Sequence, residues 1–269
     1  MKNRKLVPLI LGLALLLFFV LMAAKPTLFS AYDPKEMFRQ WLPASPEHPL
    51  GTNALGYDIF TELVHGARQT LLIGLFSSVL TLLLGTLIGT LSTVKGVTGR
   101  LFNGLINVFV LLPRLVALIV LSGFFGGSTL NLILLIAAFE WVGIARNVRA
   151  SVMHLNEQPF MENCTVLGYS KLHTVIFHVI PNLSDVLLSR FLLGVNNCIM
   201  MESTLSFLGF GDLYRPTWGT MVNFAYKRGA FLRRAYAYLL TPGVCIMLLS
   251  LSFYFISLWF EGQKDVIDE

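Results

Sequence analysis

Asn103, Asn107, Arg114, Glu140, Arg190, Asn197 and Glu202 all lie inside or against long apolar runs of this 269-residue chain. A charged or amide group surrounded by hydrocarbon is expensive, so such residues normally face a bundle interior or a wet cavity. Helical spacing puts Asn103, Asn107 and Arg114 on one face, beside Pro113, which has no N–H for the backbone ladder. Further on, Asp185, Ser189 and Asn196 share one face and Arg190 and Asn197 another, the pattern of a helix enclosed by protein. Such residues can line a path for a polar solute or hydrogen-bond helices to one another. Arg114, Glu140 and Arg190 could also serve as an ion relay.

Covalent chemistry is not encoded in the same way. The chain has no G-x-x-x-x-G-K-[ST] to cradle ATP, no H-E-x-x-H and no evident nucleophile with its base, so no catalytic residue and no enzymatic activity are expected. The histidines 48, 65, 154, 173 and 178 are scattered, and Cys164, Cys198 and Cys245 form no C-x-x-C. No metal site and no disulfide framework are predicted.

Composition says what must position the polar residues. The chain is 55% hydrophobic and 13% charged, with mean hydropathy +0.70, where soluble proteins carry roughly a quarter charged residues. This is an all-α integral membrane protein. The net charge of +5 is spread over loops and membrane edges, so no nucleic-acid site is read from it. A first transmembrane helix is expected over 6–24, behind Lys2, Arg4 and Lys5, because the apolar run exceeds the usual core of a signal peptide. Residues 25–69, with five prolines, read as an extramembrane loop ending in a turn at Gly51 and Gly56 and a helix capped by Asp58. Further spans follow at about 70–93, 101–123, 128–145, 183–201 and 238–260. In the first of these, Ser77, Thr81, Gly85 and Gly89 offer a close-packing face. Residues 202–221 read as a broken or re-entrant segment, tolerated only against protein or water.

Residues 160–181, FMENCTVLGYSKLHTVIFHVIP, are a polar interruption. Pro159 suits a helix start and Gly168 a left-handed stop, with Phe160, Cys164 and Leu167 on one face. Ser170 can cap a second helix striped by Leu172, Val175, Ile176, Val179 and Ile180 and stopped by Pro181.

The spacing of Glu162, Gly168 and Pro181 resembles the cytoplasmic "EAA" loop of ABC-importer permeases, with Asn163 and Cys164 in place of the two alanines and His178 in place of isoleucine. Three further blocks resemble the dipeptide/oligopeptide/nickel branch of that family: HPLGTNALGYDIFTELVHGAR (48–68), EWVGIARNVR (140–149) and ESTLSFLGFGDLYRPTWGTM (202–221). The chain is most similar to the second, C-type permease of that branch.

The resemblance implies a type I ABC-importer permease of about six transmembrane helices, methionine-importer-like in fold. Its organisation would be an N-terminal helix and extracytoplasmic loop (1–69), a five-helix core (70–260) holding a cytoplasmic coupling loop (146–181), and a tail (261–269). It implies peptides as cargo, with nickel or a metal–metallophore chelate as the alternative; an ion-gradient-driven secondary transporter is the rival from another class. A homologous second permease, two ATPase subunits that bind ATP and Mg, and an extracytoplasmic binding protein are the implied partners, in a bacterial or archaeal cytoplasmic membrane. Coupling to the ATPase would fall to Phe160, Met161, Glu162, Asn163, Cys164, Leu167 and Gly168. Asn103, Asn107, Arg114, Arg190, Asn197 and Glu202 would line the path, and Phe207, Gly209, Gly211 and Trp218 would form an extracytoplasmic gate; for Trp218 the alternative is a membrane-interface anchor. Lysine and arginine number nine on each side, so the initial basic cluster and the resemblance set the orientation.

Overall fold

The computed structural model describes residues 2–167, 169 and 171–264, and their side chains except at 2–5, 160, 162, 163, 165, 171, 172, 176, 185 and 261–264. Regular structure there is helical, apart from one isolated bridge between Thr52 and Asp58. The helices are α1 (Lys2–Ala24), α2 (Ile59–Leu91), α3 (Val97–Leu111), α4 (Arg114–Phe125), α5 (Thr129–Asn156), α6 (Pro159–Val166), α7 (Lys171–Thr174), α8 (Ile180–Asn182), α9 (Ser184–Leu205), α10 (Trp218–Lys227) and α11 (Tyr236–Lys264). Among the described residues five helices are long and apolar enough to cross a membrane, and α3 with α4, bent by 88°, makes a sixth span if counted as one.

Three boundaries differ from those the sequence predicts. First, α2 starts at Ile59, where Asp58 accepts from the Thr61 N–H at 2.7 Å. Its 33 residues run about 50 Å at 1.5 Å per residue, well beyond a hydrocarbon layer of about 30 Å. The division at residues 69 and 70 therefore cuts a continuous helix. Second, the span expected over 101–123 is broken: Leu112 is extended (φ −74, ψ 131) ahead of Pro113, and Arg114 begins a new helix. Asn103 and Asn107 consequently do not share a face with Arg114. Third, Pro181 does not stop its helix. The chain widens into a π turn over Val175–Val179, passes through Pro181 and continues into α9.

α2 is the central post, flanked by α5, α9, α1 and α10. Lipid tails are as apolar as leucine, so helices gain little by hiding hydrocarbon from one another, and close approach of small residues matters more. The predicted small face does this: Ser77, Thr81, Gly85 and Gly89 are all buried. A Cβ on Gly89 would stand 2.7 Å from the Ala145 carbonyl, and one on Gly85 would stand 2.9 Å from that of Trp141. α1 lies along α11 in the same way, Gly12 against the Ser252 carbonyl.

The connections sort to two ends. Residues 25–58, 126–128 and 211–235 gather at one, where Lys35, Tyr57, Arg68, Tyr214 and Arg228 line a common cleft. Residues 92–96, 157–167 and 171–183 gather at the other, where Val94, Val152, Met161 and Val179 line another. These are called the outer and inner ends below.

Candidate functional site

A groove of about 560 Å³ opens at the break between α3 and α4. Pro113 and Arg114 form its lip, α5 supplies Glu140, and α9 supplies Asn197, Met200, Met201 and Thr204. Arg114 donates through Nη1 to both Glu140 oxygens at 3.4 Å. The partners differ in exposure, the Arg114 side chain being 51% accessible and that of Glu140 7%. Glu140 lies eleven residues into α5, about 17 Å along its axis at 1.5 Å per residue, near mid-membrane. A half-exposed guanidinium at that depth cannot face lipid cheaply, so this side of the bundle must meet water or another polypeptide.

Of the predicted path residues, the groove brings together Arg114 and Asn197, with Glu140. Asn103 lines a separate, smaller cavity of about 260 Å³ beside Ser92 and Arg149. Asn107 is exposed on α3, and half-buried Arg190 lies two turns before Asn197 along α9, outside the groove.

Glu202 lies on no exposed path. It is fully buried, and Ser206 and Thr217 donate to its Oε1 at 2.6 and 2.7 Å while Ser203 donates to Oε2 at 3.3 Å. This carboxylate ties the end of α9 to the cap of α10, where Thr217 and Thr220 form a capping box.

Around it the predicted gate residues occupy a tight turn. Gly209 takes φ +100, which favours glycine, and the chain reverses there. Gly211 is buried where an added Cβ would stand 2.9 Å from that of Ser206. Phe207 stays exposed, its ring edge-on to Tyr226 at 6.3 Å. Trp218 is not an interface anchor: it has no accessible surface, packs edge-on against Phe19 at 5.3 Å and donates through Nε1 to the Leu63 carbonyl at 2.8 Å. Its own N–H donates to Thr70 Oγ1 at 3.1 Å.

Other outer contacts have no counterpart in the sequence reading. Asp212 accepts from the Thr129 N–H and hydroxyl at 3.2 and 2.8 Å, fastening the turn to α5. Asn53 donates to buried Glu62 at 2.7 Å, and His48 Nδ1 stands 3.0 Å from Asp58 Oδ1. The turn at Gly51 (φ +76) and Gly56 (φ +87) and the Asp58 cap match the local expectation. Aspartate at a turn was the available signal for Asp212, but its partner lies 83 residues away.

At the inner end, α6 buries Cys164, and Met161 packs beside Val152, Val179 and Leu183. Leu167 does not share the Cys164 face: α6 ends at Val166, and Leu167 is 67% exposed beside Val166 at 85%. Along the next stretch Val179 is buried while Ile180 is exposed at its rim. Gly168 lies outside the described residues, as do the side chains of Phe160, Glu162 and Asn163, although their backbone is helical. Arg149 donates to the Ser92 carbonyl and so ties α5 to the end of α2.

Comparisons with known proteins agree with this architecture. Residues 51–264 match the family described as "Binding-protein-dependent transport system inner membrane component". The di/tripeptide transport system permease protein of Pseudomonas aeruginosa is 31% identical over 267 residues, covering 96% of this chain and 86% of that protein. The dipeptide transport system permease protein of Alkalihalophilus pseudofirmus is 30% identical over 275 residues, with 100% and 87% coverage. The oligopeptide transport system permease protein of Mycobacterium bovis is 31% identical over 214 residues, with 78% and 73% coverage.

Proposed function

The chain belongs to the binding-protein-dependent transport system inner membrane component family, the type I permeases of ABC importers, and from that premise we propose that it forms half of a path for short peptides. The observation that carries this reading is the groove holding Arg114, Glu140 and Asn197 on a flank that cannot face lipid. A homologous permease covering that flank would close a polar conduit between the two subunits. Peptides are favoured over nickel or a metal chelate because the named relatives carry peptides. An ion-gradient mechanism has no support from this family.

In this reading the inner end is cytoplasmic. Two ATPase subunits, which would bind ATP and Mg, each receive the short helix of one permease in a surface groove, and α6 with Phe160, Met161, Glu162, Asn163 and Cys164 is that helix here. Leu167 follows it, and Gly168 belongs to the same coupling segment of the sequence. A helix of eight residues, about 12 Å long, is rigid enough to transmit closure of the ATPase dimer to α5 and α9. At the outer end the binding protein delivers the peptide, and the turn at Phe207, Gly209, Gly211 and Trp218 acts as the gate.

The test is reconstitution in liposomes with the cognate second permease, ATPases and binding protein. ATP-dependent uptake of a dipeptide is expected. Glu162→Lys should lower uptake about tenfold while ATP hydrolysis continues, the loss of about one charge-assisted contact, and Gly168→Val should likewise uncouple uptake from hydrolysis. Uptake that persists without ATPase activity overturns the proposal.

A further inference from the structure

We propose that Arg114 and Glu140 form a pair that exchanges partners with the two ends of a dipeptide. As the peptide arrives the pair opens, Arg114 taking the terminal carboxylate and Glu140 the terminal ammonium. This rests on the peptide reading above and adds to it the groups that recognise the cargo.

Four observations support the exchange. The contact is loose: a single nitrogen, Nη1, spans both carboxylate oxygens at 3.4 Å, whereas charge-assisted bonds of this kind close to about 2.7–2.9 Å. The other nitrogens of the guanidinium fork take no part in it, and a fork matches a carboxylate through two parallel bonds. The pair is also asymmetric. Glu140 is buried within the long helix α5, while Arg114 sits on the first turn of α4, just past the break, with half its side chain accessible. It can therefore swing away on its flexible stem while Glu140 stays in place.

The surroundings suit a cargo whose ends are constant and whose side chains vary. Met200 and Met201 line the groove together with the charged pair, and methionine packs against many shapes without selecting one. Depth supplies the last argument. Near mid-membrane a bare charge is costly, yet replacing one ion pair by two leaves none bare.

The extent of the opening follows from the same geometry. Two extended residues span at most about 7 Å, so with a charge-assisted contact of about 2.8 Å at each end the Arg114 and Glu140 groups must part to about 12–13 Å, a swing taken up by the long Arg114 side chain.

The experiment uses the complete transporter in liposomes with dialanine as cargo. With Arg114→Gln and Glu140→Gln combined, the complex should still assemble, read by co-purification of the second permease and the ATPases. Dialanine uptake below saturation should nonetheless fall about tenfold, the loss of about one hydrogen bond to a charged group. Wild-type uptake by this neutral pair would make Arg114–Glu140 a structural clamp and overturn the inference alone. Failure of the wild-type transporter to move dialanine would overturn the peptide reading, and this inference with it. A measurement on the unaltered protein covers the case in which the double variant does not assemble. Excess dialanine should slow phenylglyoxal modification of Arg114 severalfold, read by mass spectrometry, while dialanine amide, which has no carboxylate, should not. Equal rates with both peptides would overturn the exchange.

Discussion

Buried polar side chains at the outer end reach partners far away in the chain: Glu202 meets Thr217, Asp212 meets Thr129, Asn53 meets Glu62, and Trp218 reaches the Leu63 carbonyl. The inner end is held differently. Its loop is fastened through a small apolar cluster around Val152, Val179 and Leu183, and it leaves Val166, Leu167 and Phe177 largely exposed. The contrast follows from where each end finds its remaining contacts. Irregular backbone near the membrane is tolerated only where its polar groups are matched, and the outer turns achieve this within one chain. Apolar side chains left open at the inner end offer a surface that a partner protein can cover. The outer turns are thus cross-tied within the chain and the inner loop rests mainly on apolar packing, while both ends expose large apolar side chains, Tyr214 and Leu232 at the outer end and Val166 and Leu167 at the inner.

The strongest way to break this comparison is Trp218→Ala. It removes a fully buried indole together with its bond to Leu63 and opens a cavity among α1, α2 and α10, for an expected loss of about 3–5 kcal/mol. Heating the detergent-solubilised complex before size-exclusion chromatography should show a much lower midpoint. An unchanged midpoint would mean that the outer end is not locked at this residue. Thr217→Val is the next test. It leaves Glu202 Oε1 one donor short and should cost about 1–3 kcal/mol, with a smaller fall in the same midpoint.

The same contrast explains how much the sequence disclosed. Helix identity and number were legible because apolar runs of membrane length are local features. The small face of α2 was legible because glycine and serine at every fourth position can pack in few other ways. Family resemblance marked the loop at 160–181 and the turns at 51–58 and 207–218. Pro113 signals a missing N–H, but helical spacing alone does not disclose that the chain turns there and separates Asn107 from Arg114. Glu202 borders an apolar run, a position that suggests a path residue. Its three hydroxyl partners bury it, and Thr217 lies fifteen residues on, beyond any helical period. Cross-chain pairs such as Asp212 with Thr129 leave no periodic trace, so only the fold discloses them.

Leu167→Ser probes the smallest stability effect and is the sharpest test of the difference between the ends. Leu167 is 67% exposed and lies beyond the end of α6, so replacing it removes little packing from the monomer. The midpoint of the isolated permease pair should move by no more than about 0.5 kcal/mol equivalent, the ordinary range for surface substitutions. Capture of the ATPase should fall much more, by about tenfold in affinity if burial of one leucine contributes roughly 1.5 kcal/mol to the docked state. Surface plasmon resonance with immobilised ATPase would read the second quantity and differential scanning fluorimetry the first. A variant that lost stability but kept its ATPase would show that Leu167 packs against its own chain and takes no part in ATPase docking.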